Sequence, residues 1–545
     1  MAWPQTYLLF GQGLAFSAAL AAVPIFMLLI LLGVFRKPAW AAGLFGLGAT
    51  FVLAIGAYHM PVVTAVSAAF HGAAFGLFPI SWIVFWAIAL FRVTEVTGKF
   101  EIIRHSISRL TPDPRLQALL IAFAFGAFLE GAAGFGTPVA IAATMLTGLG
   151  FPAFGASGIC LLANTAPVAF GSIAIPLVTL AGTTGLPLDK LSAAVGGLCA
   201  PVSLILPAYL IIAMWGLRGM AGIWFPAVAA GVAFASVQFS VSNFIGPQLT
   251  DILSSLTAIL TLIAVLRFWR PAKHDTSIYL PENAVMAAEI PEYSVGEAIY
   301  AWLPYGLLVV CVLLWGYKPV HALLDQASIA IHWPFLHNAV RRMPPIVARA
   351  APYPAIFNLN WFAASGTSCM VATLLSAVCL KVGVLQLMRV LLSVVRTLLL
   401  PTATVTSVLA IAFLMNYCGA TATLGLAFSA TGVLFPFFSA LLGWLGVFLT
   451  GSDTSSNALF GGLQVITAQR LHLDPILMAA ANSAGGVMGK MISLQTIAVA
   501  AAATGLSVTD QSKLLRFTLK HSILLASVIG MLALLYVYVF HLRWS

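Results

Sequence analysis

The chain has 545 residues, of which 61% are hydrophobic and only 7% charged, with a formal net charge of +10. Soluble domains carry roughly 25% charged residues, so these charges are too few to wet a globular surface, and the mean hydropathy of +1.03 makes lipid the expected solvent. The excess of 25 Lys and Arg over 15 Asp and Glu reads as the basic bias of cytoplasmic loops, not as nucleic-acid affinity.

A bilayer-spanning helix needs about 20 mostly apolar residues, and roughly 12 to 14 such runs are expected, some of them broken. The first, Tyr7–Leu32, is preceded by uncharged residues and followed by Arg36-Lys37. It reads as a retained span with its far end in the cytoplasm, not as a cleaved signal. Ala39–Ala57 follows. Tyr58–Phe75 is expected to lie along or tilt through the interface, with His59 and His71 on it and His71 interfacial or satisfied. Leu77–Phe91 ends at Arg92 and Glu95, whose spacing suits an intrahelical pair at the rim. Arg92 to Arg115, with Lys99, Arg104 and Arg109, marks a cytoplasmic loop.

Further apolar runs are Leu191–Trp215, Ile223–Val241, Leu253–Leu266, Ala301–Trp315 and Ser522–Phe540, with basic clusters at Arg267–Lys273 and Lys513–Lys520. Two polar stretches, 269–298 and 317–358, interrupt the pattern, and the first divides the chain into membrane halves 1–268 and 299–545. In Lys381–Leu398 the residues Lys381, Arg389 and Arg396 share one helical face, as in a helix lying flat at the interface. Asn416-Tyr417-Cys418-Gly419 is a polar step suited to lining a cavity. The six cysteines lie in apolar surroundings without metal-type spacing and are expected to be free.

The most informative feature is a repeated punctuation. Gly126, Phe128, Leu129 and Gly131 match Gly446, Phe448, Leu449 and Gly451 at an offset of 320. Asn164 and Gly171 match Asn482 and Gly489 at 318, and Gly185 matches Gly505 at 320. The repeats, roughly 84–190 and 405–512, are expected to be inverted, with broken or re-entrant helices at 130–138, 164–168, 450–457 and 482–490 meeting near the bilayer midplane. The expected helix-breaking residues are Gly131, Gly134, Gly136 and Pro138 in the first unit, and Gly451 and Gly489 in the second. Freed backbone groups at such breaks survive only when buried in protein or facing a wet cavity, and a half-helix N-terminus attracts anions. The fold class is therefore an all-α polytopic membrane protein with two inverted repeats.

Charges inside apolar surroundings are few: Glu130, Asp453 and Lys490. A buried lysine suits a substrate carboxylate, and buried carboxylates suit proton coupling; a structural Glu–Lys or Asp–Lys pair is the competing account. The expected substrate-binding residues are Lys490, Asn164, Thr165, Ser452, Ser455, Asn482 and Ser483, with Glu130 and Asp453 carrying protons. No phosphate-binding loop, metal-ligand cluster or nucleophile–base arrangement is visible, so neither ATP use nor an enzyme, cofactor or metal is expected.

Phe128-Leu-Glu-Gly-Ala-Ala-Gly-Phe-Gly-Thr-Pro-Val-Ala, Ala163-Asn-Thr-Ala-Pro-Val-Ala-Phe-Gly, Leu449-Thr-Gly-Ser-Asp-Thr-Ser-Ser-Asn-Ala-Leu-Phe and Gly489-Lys-Met-Ile-Ser closely resemble the bacterial L-lactate permease family over the whole chain. The resemblance implies a multi-pass carrier of the bacterial inner membrane, taking up L-lactate, and also D-lactate or glycolate, by proton symport. A sodium-coupled carrier of another small carboxylate or a dicarboxylate is the alternative. Where the resemblance leads one to expect proline after Lys490-Met-Ile-Ser, this chain has Leu494, so a softer break is expected there.

Overall fold

The computed structural model describes residues 2–134, 137–269, 291 and 293–544. Gly136 and most of the polar stretch 269–298 lie outside the described residues. In chain order the helices are α1 (Leu14–Gly33), α2 (Ala39–Ala57), α3 (Val62–Val96), α4 (Lys99–Ser108), α5 (Pro114–Ala132), α6 (Thr137–Gly148), α7 (Ala153–Ala163), α8 (Val168–Thr184), α9 (Leu188–Gly219), α10 (Trp224–Phe244) and α11 (Pro247–Phe268). They continue with α12 (Val295–Ala301), α13 (Leu303–Gly316), α14 (Lys318–Asp325), α15 (Ser365–Cys379), α16 (Val384–Cys418), α17 (Ala420–Phe428), α18 (Phe435–Thr450), α19 (Asp453–Arg470), α20 (Pro475–Lys490), α21 (Leu494–Thr504) and α22 (Val508–Tyr538). Among the described residues 11 stretches are long and apolar enough to cross a membrane, or 13 if each of two bent pairs is one crossing. Phe26, Phe45, Leu385 and Leu399 point outward from such helices, as lipid-facing side chains do.

The order of elements recurs. α3 and α16 are each 35 residues long and end at glycines in the left-handed conformation, Gly98 (φ 70°) and Gly419 (φ 97°). A short helix follows each, α4 and α17. α8 and α21 likewise end at left-handed Gly185 (φ 73°) and Gly505 (φ 71°), and the long α9 and α22 come next.

Three expectations change. Tyr58–Phe75 is not an interfacial segment. Its helical part opens α3, which resumes after Phe78 (φ −139°, ψ 125°) and Pro79 because the apolar pattern continues. Lys381–Leu398 is not a separate flat helix either: from Val384 onward it is the first half of α16, with Val390, Val394 and Leu398 buried at four-residue spacing while Arg389 and Arg396 stay exposed. At 1.5 Å per residue α16 is about 52 Å long, well beyond a hydrocarbon core of about 30 Å. Finally, the second polar stretch is not all loop. It contains α14 and most of two small sheets: β3 (Val340–Arg342) pairs with β4 (Ala351–Tyr353) and with β1 (Trp3–Pro4) from the N-terminus, and β2 (Ile329–His332) pairs with β5 (Ile356–Leu359). The Arg92–Glu95 pair forms at 2.6 Å on the exposed surface. All six cysteines are free, and five of them are buried; Cys379 is exposed.

Candidate functional site

α5 is entirely buried and carries Glu130, 3% exposed, near its end. The chain then breaks at Ala133 and Gly134, not at Gly131, which is still helical. Gly131 is small for a packing reason: a Cβ there would stand 2.8 Å from Cβ of Asp251 on α11. Pro138 sits in the first turn of α6, where a proline's missing N–H costs nothing. The second break of this unit follows α7, and α7 and α8 meet at 66°. Just past this bend, inside α8, Ser172, Ile173 and Ala174 all have left-handed φ (48°, 59° and 64°), a conformation costing roughly 1–2 kcal/mol per non-glycine residue. Ser172 Oγ ties the two breaks together by donating to Ala133 O at 2.9 Å, and the Glu130 carboxylate lies against Gly171.

The second unit is built differently. α18 ends at Gly451 (φ 73°), where an added Cβ would also approach Gln495 Oε1 at 2.7 Å. Ser452 caps α19, its Oγ accepting from Ser455 N at 3.2 Å. Asp453 follows in the first turn, where the helix dipole favours a negative charge. One carboxylate oxygen, Oδ2, accepts from Ser483 Oγ (2.7 Å) and Asn457 Nδ2 (3.2 Å). Asn457 Oδ1 accepts from Asn482 Nδ2 at 3.0 Å, and Asn482 Oδ1 accepts from Gln464 Nε2 at 3.0 Å. α20 is unbroken from Pro475 to Lys490, so the expected break at 482–490 is displaced to Met491–Ser493. Gly489 is therefore no helix breaker. A Cβ there would stand 3.0 Å from Phe448 N, so the glycine lets α20 pack on the backbone of α18.

These pieces enclose a cavity of ≈ 280 Å³ lined by Glu130, Ser172, Ser452, Asp453, Ser455 and Lys490, among others. Trp40, at the start of α2, and Pro401, in α16, complete its mouth. Lys490, 8% exposed, ends α20. Its charge acts on both Glu130 and Asp453, yet among the described residues it forms no ion pair. Lys490 is thus near enough to both carboxylates to feel their charge without a direct ion pair to either.

Of the seven expected substrate-binding residues, Lys490, Ser452 and Ser455 reach this cavity and four stand behind its wall. Asn482 and Ser483 belong to the network that holds Asp453. The Thr165 hydroxyl donates to Leu162 O at 2.7 Å. Asn164 approaches the Glu130 carboxylate without closing a hydrogen bond of ordinary length.

Two residues escape the sequence reading. Asn457 lay inside a quoted motif, and only the fold shows that it joins Asp453 to α20 and to Pro176 O on α8 (3.2 Å). Asp251 is 1% exposed, and neither carboxylate oxygen has a hydrogen-bond partner among the described residues. In sequence it passes for an ordinary first-turn acid before an apolar run. The fold packs it against the turn bearing Glu130.

The L-lactate permease family pattern matches residues 17–540. The chain is 44% identical to the glycolate permease GlcA of Escherichia coli K12, over 99% of this chain and 98% of that one. It is 42% identical to the L-lactate permease of Bacillus subtilis 168, over 99% of both. Among solved structures, the Alcanivorax borkumensis YdaH transporter gives a TM-score of 0.46 at 13% identity, covering 96% of this chain and 99% of that one, a likeness too low to argue from. With the family pattern spanning nearly the whole chain, and relatives this similar over their full length, the chain belongs to the L-lactate permease family.

Proposed function

We propose that this multi-pass protein of the bacterial inner membrane takes up L-lactate, glycolate and similar 2-hydroxymonocarboxylates by proton symport. It is a permease, not an enzyme. The observation that carries the reading is Lys490: a buried cation, in no ion pair among the described residues, on the wall of a cavity it shares with Glu130, Asp453, Ser452 and Ser455. A substrate carboxylate supplies the missing counter-charge. In this reading the hydroxyls of Ser452 and Ser455, both lining the cavity, bind the 2-hydroxyl.

Glu130, Asp453 and Asp251 are the groups available for the coupling proton. Glu130 Oε2 and Asp453 Oδ1 lack partners among the described residues. Taking up a proton removes the cost of an unpaired buried charge, which is the property a coupling group needs. The units 84–190 and 405–512, one in each membrane half, are proposed to be inverted copies that rock about this cavity.

The test is substrate-driven proton movement. Adding lactate to de-energised vesicles should make the outside medium more alkaline, and propionate, which lacks the hydroxyl, should compete roughly tenfold to a hundredfold more weakly, from about 1–3 kcal/mol for an unmatched buried polar group. No alkalinisation, with uptake intact and dependent on sodium, would replace the proton as coupling ion.

A further inference from the structure

A second cavity, of ≈ 490 Å³, lies at the other end of the bundle and takes no part in the site described above. Its walls come from α3, α8, α16 and the segment bearing the small sheets. Several contacts place this end. Trp3 pairs with Val340, and Gln5 Nε2 donates to Asn416 O and Tyr417 O, both at 2.9 Å. The N-terminus, the sheet segment and the end of α16 therefore sit together. α1 carries the chain from there to Arg36-Lys37 at the opposite end, where Ala39 and Trp40 line the first cavity. The two cavities thus open to opposite ends, and the basic cluster assigns the first to the cytoplasm and the second to the outside.

α8 forms a wall of both. Ser172 and Pro176 face the inner cavity, and Thr183 and Gly185 face the outer one. The partition is thin and polar: Asn416 Nδ2 donates to Thr183 O at 3.4 Å, and Thr183 Oγ1 donates to Asn457 O at 3.5 Å.

The outer cavity carries the parts of an anion site. His71 is buried and only partly satisfied, its ring approaching the Ile356 backbone. It is 5% exposed, its Nδ1 has no hydrogen-bond partner among the described residues, and its ring is stacked on Trp333 (4.9 Å between centroids) and edge-on to Phe413 (5.0 Å). Arg342 holds its guanidinium 3.7 Å from the Tyr353 ring centroid and forms no ion pair among the described residues. The amides of Asn358, Asn360 and Asn416 complete the polar lining.

Building on the proposed function, we infer that this outer cavity is a second binding site for the small monocarboxylate substrate, occupied before the substrate crosses the Asn416–Thr183 partition. The planar guanidinium of Arg342 matches a carboxylate's two oxygens. His71 and the asparagine amides provide hydrogen bonds for the second polar group. Phe357 and Phe413 cover the apolar end. Arg342 is the one permanently charged side chain among the described lining residues, which suits a monoanion over a dianion.

The site is tested by labelling intact cells with a membrane-impermeant methanethiosulfonate. Ile356→Cys, at an exposed lining residue given no part in binding, is placed in a Cys379→Ser background, which removes the exposed native thiol, and Thr184→Cys is the second reporter should the first fail to reach the membrane. Lactate or glycolate at about ten times its Kd should slow labelling roughly tenfold, as single-site occupancy requires, whereas chloride and phosphate should not. Adding Arg342→Gln should remove the protection and leave unprotected labelling unchanged. Adding Lys490→Ala should leave the protection in place. Protection that survives Arg342→Gln, that disappears with Lys490→Ala, or that never occurs would overturn the inference. External protection requires no transport, so it is read independently of the proton-movement assay, whose failure would instead fall on the proposed symport.

Discussion

The two halves of the central site carry out similar topological tasks with opposite mechanical character. In the first unit the crossing bends by 66° between α7 and α8, three left-handed non-glycine residues follow inside α8, and its carboxylate, Glu130, is loosely held. In the second, Pro475–Thr504 passes as one crossing. Its Asp453 is held by Ser483 and Asn457, and behind them stand Asn482 and Gln464. The sequence foreshadows part of this. Leu494 stands where the family resemblance leads one to expect proline, and α21 starts instead from a serine cap, Ser493 Oγ accepting from Thr496 N at 3.2 Å. A strained, sparsely bonded half suits a group that must change its protonation and surroundings during transport. A more extensively hydrogen-bonded half suits the group that recognises the substrate.

The largest expected effect breaks the recognition half. Lys490→Ala should lower lactate uptake about a hundredfold, taking about 3 kcal/mol for the charge-assisted bonds it loses, with the protein still present in the membrane. Lys490→Arg should restore little, because a guanidinium is larger and planar. Unchanged uptake by the alanine variant would end the assignment of recognition to the second unit.

Next, Glu130→Gln should lose pH-driven accumulation of lactate while retaining most exchange of labelled for unlabelled lactate, since exchange moves no net proton. Asp453→Asn, which disturbs the bonded half, should impair both. The opposite pattern would exchange the roles of the two carboxylates, and accumulation surviving both substitutions would point to Asp251.

Smaller effects separate packing from strain. Gly489→Ala places a methyl group against the α18 backbone, with Phe448 N at 3.0 Å, and should cost roughly 1–3 kcal/mol of stability, measured as a lower melting temperature in detergent. Ala174→Gly should be nearly neutral. Relief of a left-handed alanine, worth roughly 1–2 kcal/mol, offsets a lost buried methyl of about 0.8 kcal/mol and the chain entropy of glycine. A loss as large as that of Gly489→Ala would show that the left-handed turn stores no strain.

How much of the site was legible depended on whether a residue announces itself locally. Glu130, Asp453 and Lys490 stood out because charges are rare in apolar runs, and Gly451 because polar residues follow it without interruption. The position of the fourth break was not legible. Asn482 and Gly489 match Asn164 and Gly171 in sequence, but α20, 16 residues long against 11 for α7, ends at Lys490, well past the position that matches the end of α7 at Ala163. Glycines that break a helix and glycines that let two helices touch look the same in one dimension. Asp251 was passed over for a related reason, since it resembles an ordinary first-turn acid of its helix until its neighbours are known.

By itself, then, the sequence determined the solvent, the helical class, the duplicated punctuation and the three rare charges. These follow from composition and spacing, because lipid forbids unpaired backbone and makes each buried charge costly. The tertiary structure alone decided which polar groups share a cavity and which stand behind its wall. It also decided that Lys490 forms no ion pair among the described residues and that a second cavity faces Arg342 and His71 at the opposite end. Those properties depend on contacts between residues hundreds of positions apart, such as Asn416 with Thr183, and nothing in the local spacing of a chain encodes which distant backbone will approach it.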